Sequence, residues 1–256
     1  MNEKGDPLMK DKVFVVGDVH GQITMFKQLL GFWKPNEEQL ILIGDLGDRG
    51  ENPKDCFELA KELVEGHGAI CLRGNHEEML LNFMNNPKYS AATYEMNGGM
   101  VTIKTFLQTE AEKYDPVELA ASMLAKVPWL KPFIESLPLT YEWEDYVFVH
   151  AGVDLTLDDW RDSRKRDYVW IREGFYDQPN HTGKTFVFGH TVTAMLHNEQ
   201  YNTDIWQSGD GKIGIDGGAV YGGVIHGLVL DKNGIVDHYK IENKGYAFSE
   251  YLREGL

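Results

Sequence analysis

The sequence is short of cysteine, short of basic residues relative to acidic ones, and without a long apolar run. Its two cysteines, Cys56 and Cys71, both stand in apolar surroundings. That reads as two buried small hydrophobes rather than a disulfide, and it fits a reducing cytoplasm. Lys and Arg number 25 against 40 Asp and Glu, a formal net charge of −15. Such a surface repels nucleic-acid phosphates and anionic lipid heads, so neither is expected as a partner. A small positive pocket inside the acidic shell is still allowed. No apolar run approaches ~18 residues, so no transmembrane span is expected. The opening MNEKGDPLMKDK is polar and has no apolar signal region. Repeats, low-complexity segments and linkers are also missing, so residues 1–256 read as a single domain.

What is present is a recurring ending. VFVV (13–16) runs into GDVHG, LILI (40–43) into GDLGDRG, and AICL (69–72) into RGNHE. YVFVH (146–150) runs into Ala151-Gly152, and TFVF (185–188) into Gly189-His190-Thr191. Short β-branched and aromatic runs of this kind are the pattern of strands buried on both faces. Helical spacing follows the first two: Ile23, Phe26, Leu29 and Leu30, then Phe57, Ala60, Leu63 and Val64. Asp115-Pro116 has the form of an N-cap with Pro at the first helical position, followed by a stripe of Val117, Ala120 and Leu124. Residues 83–140 read as a mostly helical insertion flanking the cleft. The stretch 212–230 reads as strands broken by a glycine-rich turn, and 227–241 as a final hairpin turning at Lys232-Asn233-Gly234. The class is therefore α/β, with at least partly parallel strands. In such folds ligands gather beyond the carboxyl ends of strands.

Five strand ends carry six candidate metal ligands: Asp18, His20, Asp45, Asn75, His150 and His190. Carboxylate, imidazole and amide oxygen suit hard and borderline divalent ions. Six ligands exceed what one catalytic ion needs, so two ions sharing a carboxylate are expected, the arrangement that clamps a phosphoryl displacement. Two ions leave a net positive centre after Asp18, Asp45 and a hydroxide are counted, suited to a phosphate dianion. Arg49, Arg73 and Arg172 are candidates to hold the phosphate oxygens. His76 follows Asn75 and suits protonation of a leaving alkoxide, with Asp48 as the carboxylate that orients it.

Taken together, GDVHG, GDLGDRG and RGNHE, with HAG (150–152) and GHT (189–191), resemble the phosphoprotein phosphatase family of calcineurin-like metallophosphoesterases. WIR (170–172) and IDGGAVYGG (215–223) are similar to its small bacterial and phage-type serine/threonine phosphatases. The resemblance implies a central β-sandwich flanked by helices, with the active site at the strand C-terminal ends. It implies that Asp18, His20 and Asp45 hold one ion, and that Asp45, Asn75, His150 and His190 hold the second. His76 is then the general acid, and Arg49, Arg73 and Arg172 bind phosphate. The cofactors implied are two divalent ions, manganese first, with iron or zinc also fitting. The expected activity is hydrolysis of phosphate monoesters by a metal-bridging hydroxide, on phosphoserine and phosphothreonine of a phosphoprotein or on a small phosphorylated substrate. The alternative is a hydrolase of dinucleoside polyphosphates such as diadenosine tetraphosphate, whose similar enzymes typically lack the aspartate matching Asp48 and read GNHD. Gly47 departs from the family pattern, which usually carries an aliphatic residue there; glycine is expected to remove a packing contact and loosen the turn.

Other features have ordinary readings. His67, His181, His197, His226 and His238 are not expected as ligands. Met79, Leu80 and Phe83 read as helix packing. The basic cluster of WRDSRKRD (160–167) is interleaved with aspartates and reads as a solvated charged face, although it could also anchor an acidic substrate. Tyr221, in the glycine-rich loop, is given no role.

Overall fold

The computed structural model describes residues 10–245. Each of the five apolar runs becomes a strand, because β-branched and aromatic side chains fit a pleated surface buried on both sides. The strands are β1 (Lys12–Val16), β2 (Glu38–Leu42), β3 (Ile70–Cys71), β4 (Thr140–Trp143), β5 (Tyr146–Val149), β6 (Thr185–Phe188), β7 (Trp206–Gln207), β8 (Lys212–Gly214), β9 (Val224–Asp231) and β10 (Gly234–Glu242). They form two sheets, in the orders β10-β9-β1-β2-β3 and β4-β5-β6-β8-β7. Neighbours β1, β2 and β3 run parallel, as do β5, β6 and β8. The short edge strands β4 and β7 pair antiparallel and follow no long apolar run. The expected final hairpin is β9 and β10; it starts earlier, at Val224, and carries a bulge between Ile235 and Asp237.

Side-chain alternation joins the two sheets. Val13, Val15, Ile41 and Ile43 pack with Phe148, Val187, Ile213 and Ile215 between the sheets. Their neighbours Phe14, Val16, Leu40 and Leu42 face the opposite way and pack with the helices. On the far side of the second sheet, Val147, Val149, Phe186 and Phe188 pack with Trp160 and Phe175. The result is a β-sandwich flanked by helices, as the resemblance implies.

The helices are α1 (Ile23–Leu30), α2 (Pro53–His67), α3 (Asn75–Asn85), α4 (Pro87–Met96), α5 (Met100–Leu107), α6 (Pro116–Lys126), α7 (Leu130–Ser136), α8 (Lys165–Trp170) and α9 (Thr193–His197). Ile23, Phe26 and Leu29 are buried on α1, and Phe57, Ala60 and Leu63 on α2. Met79, Leu80 and Phe83 are buried on α3. The stretch 83–140 holds α4 to α7, so it is helical as expected. Asp115 caps α6 by accepting from the Val117 N–H at 2.8 Å. The stripe expected on α6 is corrected, however: Val117 and Leu124 are 39% and 40% exposed. The buried face is Leu119, Ala120 and Met123. Both sets have helical spacing; α3, α4 and α5 pack against α6 and decide which one is covered.

Cys56 and Cys71 are free and buried, as their apolar surroundings predict. No helix among the described residues is long and apolar enough to cross a membrane.

Candidate metal centre

The turns that leave β1, β2, β3, β5 and β6 meet at one end of the sandwich. The His150 ring, just past β5, donates through Nδ1 to the Ile43 carbonyl at 2.9 Å, which ties the second sheet's strand end to β2. The N–H groups of Val19 and His20 both donate to the Asp45 carbonyl, at 3.1 and 2.8 Å. These turns are tight. His20, Asp45, Asp48, Arg49 and His190 all have positive φ, from 43° to 65°. A non-glycine residue there costs about 1 kcal/mol or more, and persists where the surrounding structure imposes it.

Asp45 is central to the cluster. Its Oδ2 lies 3.4 Å from His20 Nε2, and its Oδ1 lies 3.4 Å from His150 Nε2. Two groups of ligand atoms therefore share it: His20, Asp45 and His76, and Asp45, His150 and His190, each within 4.8 Å. Asn75 Oδ1 sits between His150 Nε2 and His190 Nδ1, 2.9 Å from each. Asp18 belongs to neither group; its carboxylate accepts from the His190 N–H at 3.2–3.3 Å. Gly74 and Gly189 permit these approaches. A Cβ on Gly74 would stand 2.2 Å from Asp45 Oδ1, and one on Gly189 2.0 Å from Asp18 Oδ1.

The donor set fits divalent ions. His20 donates through Nδ1 to the Gly47 carbonyl at 2.9 Å, as His150 does to Ile43, so each turns the Nε2 lone pair inward. His190 Nε2 is buried without a partner among the described residues. Burial lowers the pKa of all four site imidazoles, with His150 falling to about 4, so each is neutral; His20 and His150, with Nε2 turned inward, are able to ligate. Burial raises Asp18 well above the usual range, helped by the charges of Asp216 and Asp45, and pushes Asp45 up to about 7. Crowded buried carboxylates of this kind are what a bound cation relieves.

His76 is arranged differently from the other imidazoles. Its Nδ1 is 2.6 Å from Asp48 Oδ2, and its Nε2 is buried without a hydrogen-bond partner among the described residues. Asp48 Oδ1 accepts from the Tyr94 hydroxyl at 2.8 Å and the Thr102 hydroxyl at 2.5 Å. Burial pushes Asp48 up to about 7, against those two donors. The pair thus shares one proton across the Nδ1···Oδ2 contact up to neutral pH. With that proton on Asp48, the neutral ring carries its own N–H on Nε2, the nitrogen facing the site.

The loosening expected at Gly47 is overturned. A Cβ there would stand 2.6 Å from the Phe57 ring and 3.3 Å from Thr102 Oγ1. Phe57 and Thr102 already fill the space an aliphatic side chain would take. The Asp48 N–H donates to Thr102 Oγ1 at 2.9 Å and the Arg49 N–H to the Gly98 carbonyl at 3.1 Å, so the turn is held.

The three arginines are placed unequally. Arg49 Nη1 reaches His20 Nε2 at 3.0 Å, and its guanidinium lies 5.4 Å from the Tyr221 ring centre. Arg172 donates to the His190 carbonyl at 3.1 Å. Arg73 instead donates to Glu78 at 3.2 Å and to the Glu135 carbonyl at 2.8 Å.

Four supporting residues escaped sequence reasoning. Glu77 is fully buried and accepts from the N–H groups of Asp45 (2.8 Å), Leu46 (2.8 Å) and Gly74 (2.9 Å), clamping the two ligand turns together. Its signal was a carboxylate three residues after Gly74 at a helix start. Asp216 had the same strand-end signal as the ligands, in GIDGG, and its Oδ1 accepts from the Gly218 N–H at 2.9 Å. Tyr94 and Thr102 had no local signal at all.

The sequence profile of calcineurin-like phosphoesterases matches residues 11–211. The chain is 28% identical over 221 residues to serine/threonine-protein phosphatase 1 of Salmonella typhimurium, covering 82% of this chain and 88% of that one. It is 30% identical over 144 residues to the symmetrical bis(5'-nucleosyl)-tetraphosphatase of Glaesserella parasuis, covering 55% of this chain and 44% of the relative. Among solved structures, one described as a putative diadenosine tetraphosphatase superimposes with a TM-score of 0.64 at 18% identity, over 94% of this chain and 97% of the other. With the sandwich, the candidate ligands at the strand ends and this match across most of its length, the chain belongs to the calcineurin-like phosphoesterase family.

Proposed function

We propose that this phosphoesterase is a dinuclear-metal phosphomonoesterase acting on phosphoserine and phosphothreonine in proteins. The observation that carries the reading is the His76–Asp48 contact of 2.6 Å, backed by Tyr94 and Thr102. A serine or threonine alkoxide is a poor leaving group and needs a proton as its bond to phosphorus breaks. A nucleotide phosphate leaves readily and gains little from such an acid. The relative aligned over 88% of its own length is a serine/threonine phosphatase, which agrees.

Asp18, His20 and Asp45 would hold one ion, and Asp45, Asn75, His150 and His190 the other. Manganese is the first choice, with iron or zinc equally compatible with oxygen and imidazole donors. When bound, the ions supply Lewis acidity and acidify a water. Two features favour Asp18 over His76 as the third ligand of the first ion: the Nε2–H of His76, and its hold by Asp48. Arg49 and Arg172 flank the candidate ligands from two sides and, with Arg73, would grip the phosphate oxygens. His76 Nε2 would protonate the leaving oxygen, with Asp48 keeping the ring in line. The free buried thiols agree with the reducing cytoplasm in which we place the protein.

A second reading, hydrolysis of dinucleoside polyphosphates, is favoured by the tetraphosphatase relative and by the structural neighbour of that description. Turnover of a phosphoserine peptide and of diadenosine tetraphosphate, measured side by side with Mn2+, separates the two. Preference for the nucleotide would overturn the protein-phosphatase reading.

A further inference from the structure

A cavity of about 490 Å³ opens beside the metal centre, between α3, α4 and α8. Arg73, Glu78, Thr93, Lys165, Arg166 and Trp170 are among the residues that line it. One of its walls touches the site. Trp170 meets the His190 ring edge-on at 5.9 Å, and Arg172, two residues on, holds the His190 carbonyl. Arg73 and Glu78 flank Asn75 and His76 in sequence, and Thr93 precedes Tyr94, the residue that supports Asp48.

The charges of the WRDSRKRD cluster divide in two. Arg161 pairs with Glu142 and Asp159, and Arg164 with Asp167. Those two arginines belong to a solvated, ion-paired face. Lys165 and Arg166 form no ion pair with any described residue, and both line the cavity. Of its three cations only Arg73 is neutralised, by Glu78 at 3.2 Å. Among the described residues two positive charges remain unpaired, on a chain whose net charge is −15. An uncompensated cationic ledge on so acidic a protein attracts anions against the prevailing field.

We infer that Lys165 and Arg166 form a specificity subsite that receives acidic residues flanking the phosphorylated serine or threonine of a protein substrate. The inference rests on the phosphomonoesterase reading above and names the substrate class within it. Arg73, bound to Glu78 and the Glu135 carbonyl, acts here as part of the cavity wall between ledge and ligands. Met79, Val169 and Trp170 supply apolar surface for the aliphatic stems of the incoming Asp or Glu side chains.

The test compares wild type with Lys165→Gln/Arg166→Gln on four substrates: p-nitrophenyl phosphate, a phosphoserine peptide flanked by Glu, the same peptide flanked by Gln, and diadenosine tetraphosphate. Wild type is expected to favour the Glu peptide through KM, with the preference fading as salt rises. The double variant should lose that preference by roughly three- to tenfold, as two exposed charge contacts allow, with p-nitrophenyl phosphate and the Gln peptide unchanged. Equal turnover of the two peptides by wild type, or a preference that survives in the variant, would overturn the inference while leaving the phosphomonoesterase reading intact. A variant that loses p-nitrophenyl phosphate turnover by the same factor would make the role structural and also overturn it. Wild type that cleaves p-nitrophenyl phosphate but no peptide removes the parent reading and this one with it. A selective loss on diadenosine tetraphosphate would reassign the ledge to polyphosphate.

Discussion

His76→Asn is the substitution that separates an acid from a ligand. Asparagine cannot reach the space of the imidazole ring and cannot carry a titratable proton. Asp48 keeps its Tyr94 and Thr102 donors at 2.8 and 2.5 Å, so the carboxylate is not orphaned and the fold should persist. What disappears is the Nε2–H facing the site. Removing a positioned general acid costs about 10²- to 10⁴-fold, or roughly 3–5 kcal/mol of barrier. That full loss is expected in kcat for a phosphoserine peptide, whose alkoxide needs the proton. For p-nitrophenyl phosphate, whose leaving group is stable as an anion, the loss should be about tenfold or less by the same reasoning. Steady-state kinetics on the two substrates, with Mn2+ binding followed by calorimetric titration, supply the readout. His76 Nε2 also lies 4.0 Å from Asp45 Oδ2, close enough to compete for the role of ligand. If the variant loses both substrates by one factor and binds ions more weakly, the ring is a ligand and the acid assignment is refuted.

Other outcomes follow from the same geometry. Tyr94→Phe and Thr102→Val each delete one donor to a buried carboxylate and should cost about 1–3 kcal/mol, read as a lower kcat for alkyl phosphates with ion affinity preserved. Gly47→Leu drives a side chain into the Phe57 ring, 2.6 Å from the Cβ position, and should lower stability by about 1–3 kcal/mol in thermal unfolding. A raised melting temperature would show that the space is open after all. Mn2+ affinity should climb as pH rises through about 7, because burial lifts the Asp45 pKa to about 7 and raises Asp18 well above the usual range, and the ion must displace those protons. His150, lowered to about 4, is already neutral and adds no proton release there. Titration in two buffers of different ionisation enthalpy counts the protons, and a flat profile from pH 6 to 8 would contradict the placement of Asp45.

The sequence alone was enough for the five strands that carry the candidate site, though not for the short edge strands β4 and β7. An apolar run that stops at Gly-Asp, at Gly-His or at His carries its signal in consecutive residues, and the candidate ligands Asp18, Asp45, His150 and His190 were legible for that reason. Asp48 and His76 were also legible as a pair, since both lie within motif turns. The sandwich was not derivable from periodicity, because VFVV or TFVF is apolar on both faces and does not say whether a sheet or a helix covers each one. Tertiary structure decided that Val13 shares the core between the sheets with Phe148 while Phe14 joins the core with the helices. It also decided what steadies the acid: Tyr94 and Thr102 lie 46 and 54 residues from Asp48, in helices whose local pattern says only that they are amphipathic. The same holds for Lys165 and Arg166. In sequence they are indistinguishable from Arg161 and Arg164, and only the folded chain shows that those two pair with carboxylates while Lys165 and Arg166 line a cavity with none paired to them among the described residues. A hydrogen bond or an uncompensated charge is a relation between chain segments, and one segment read by itself does not contain it.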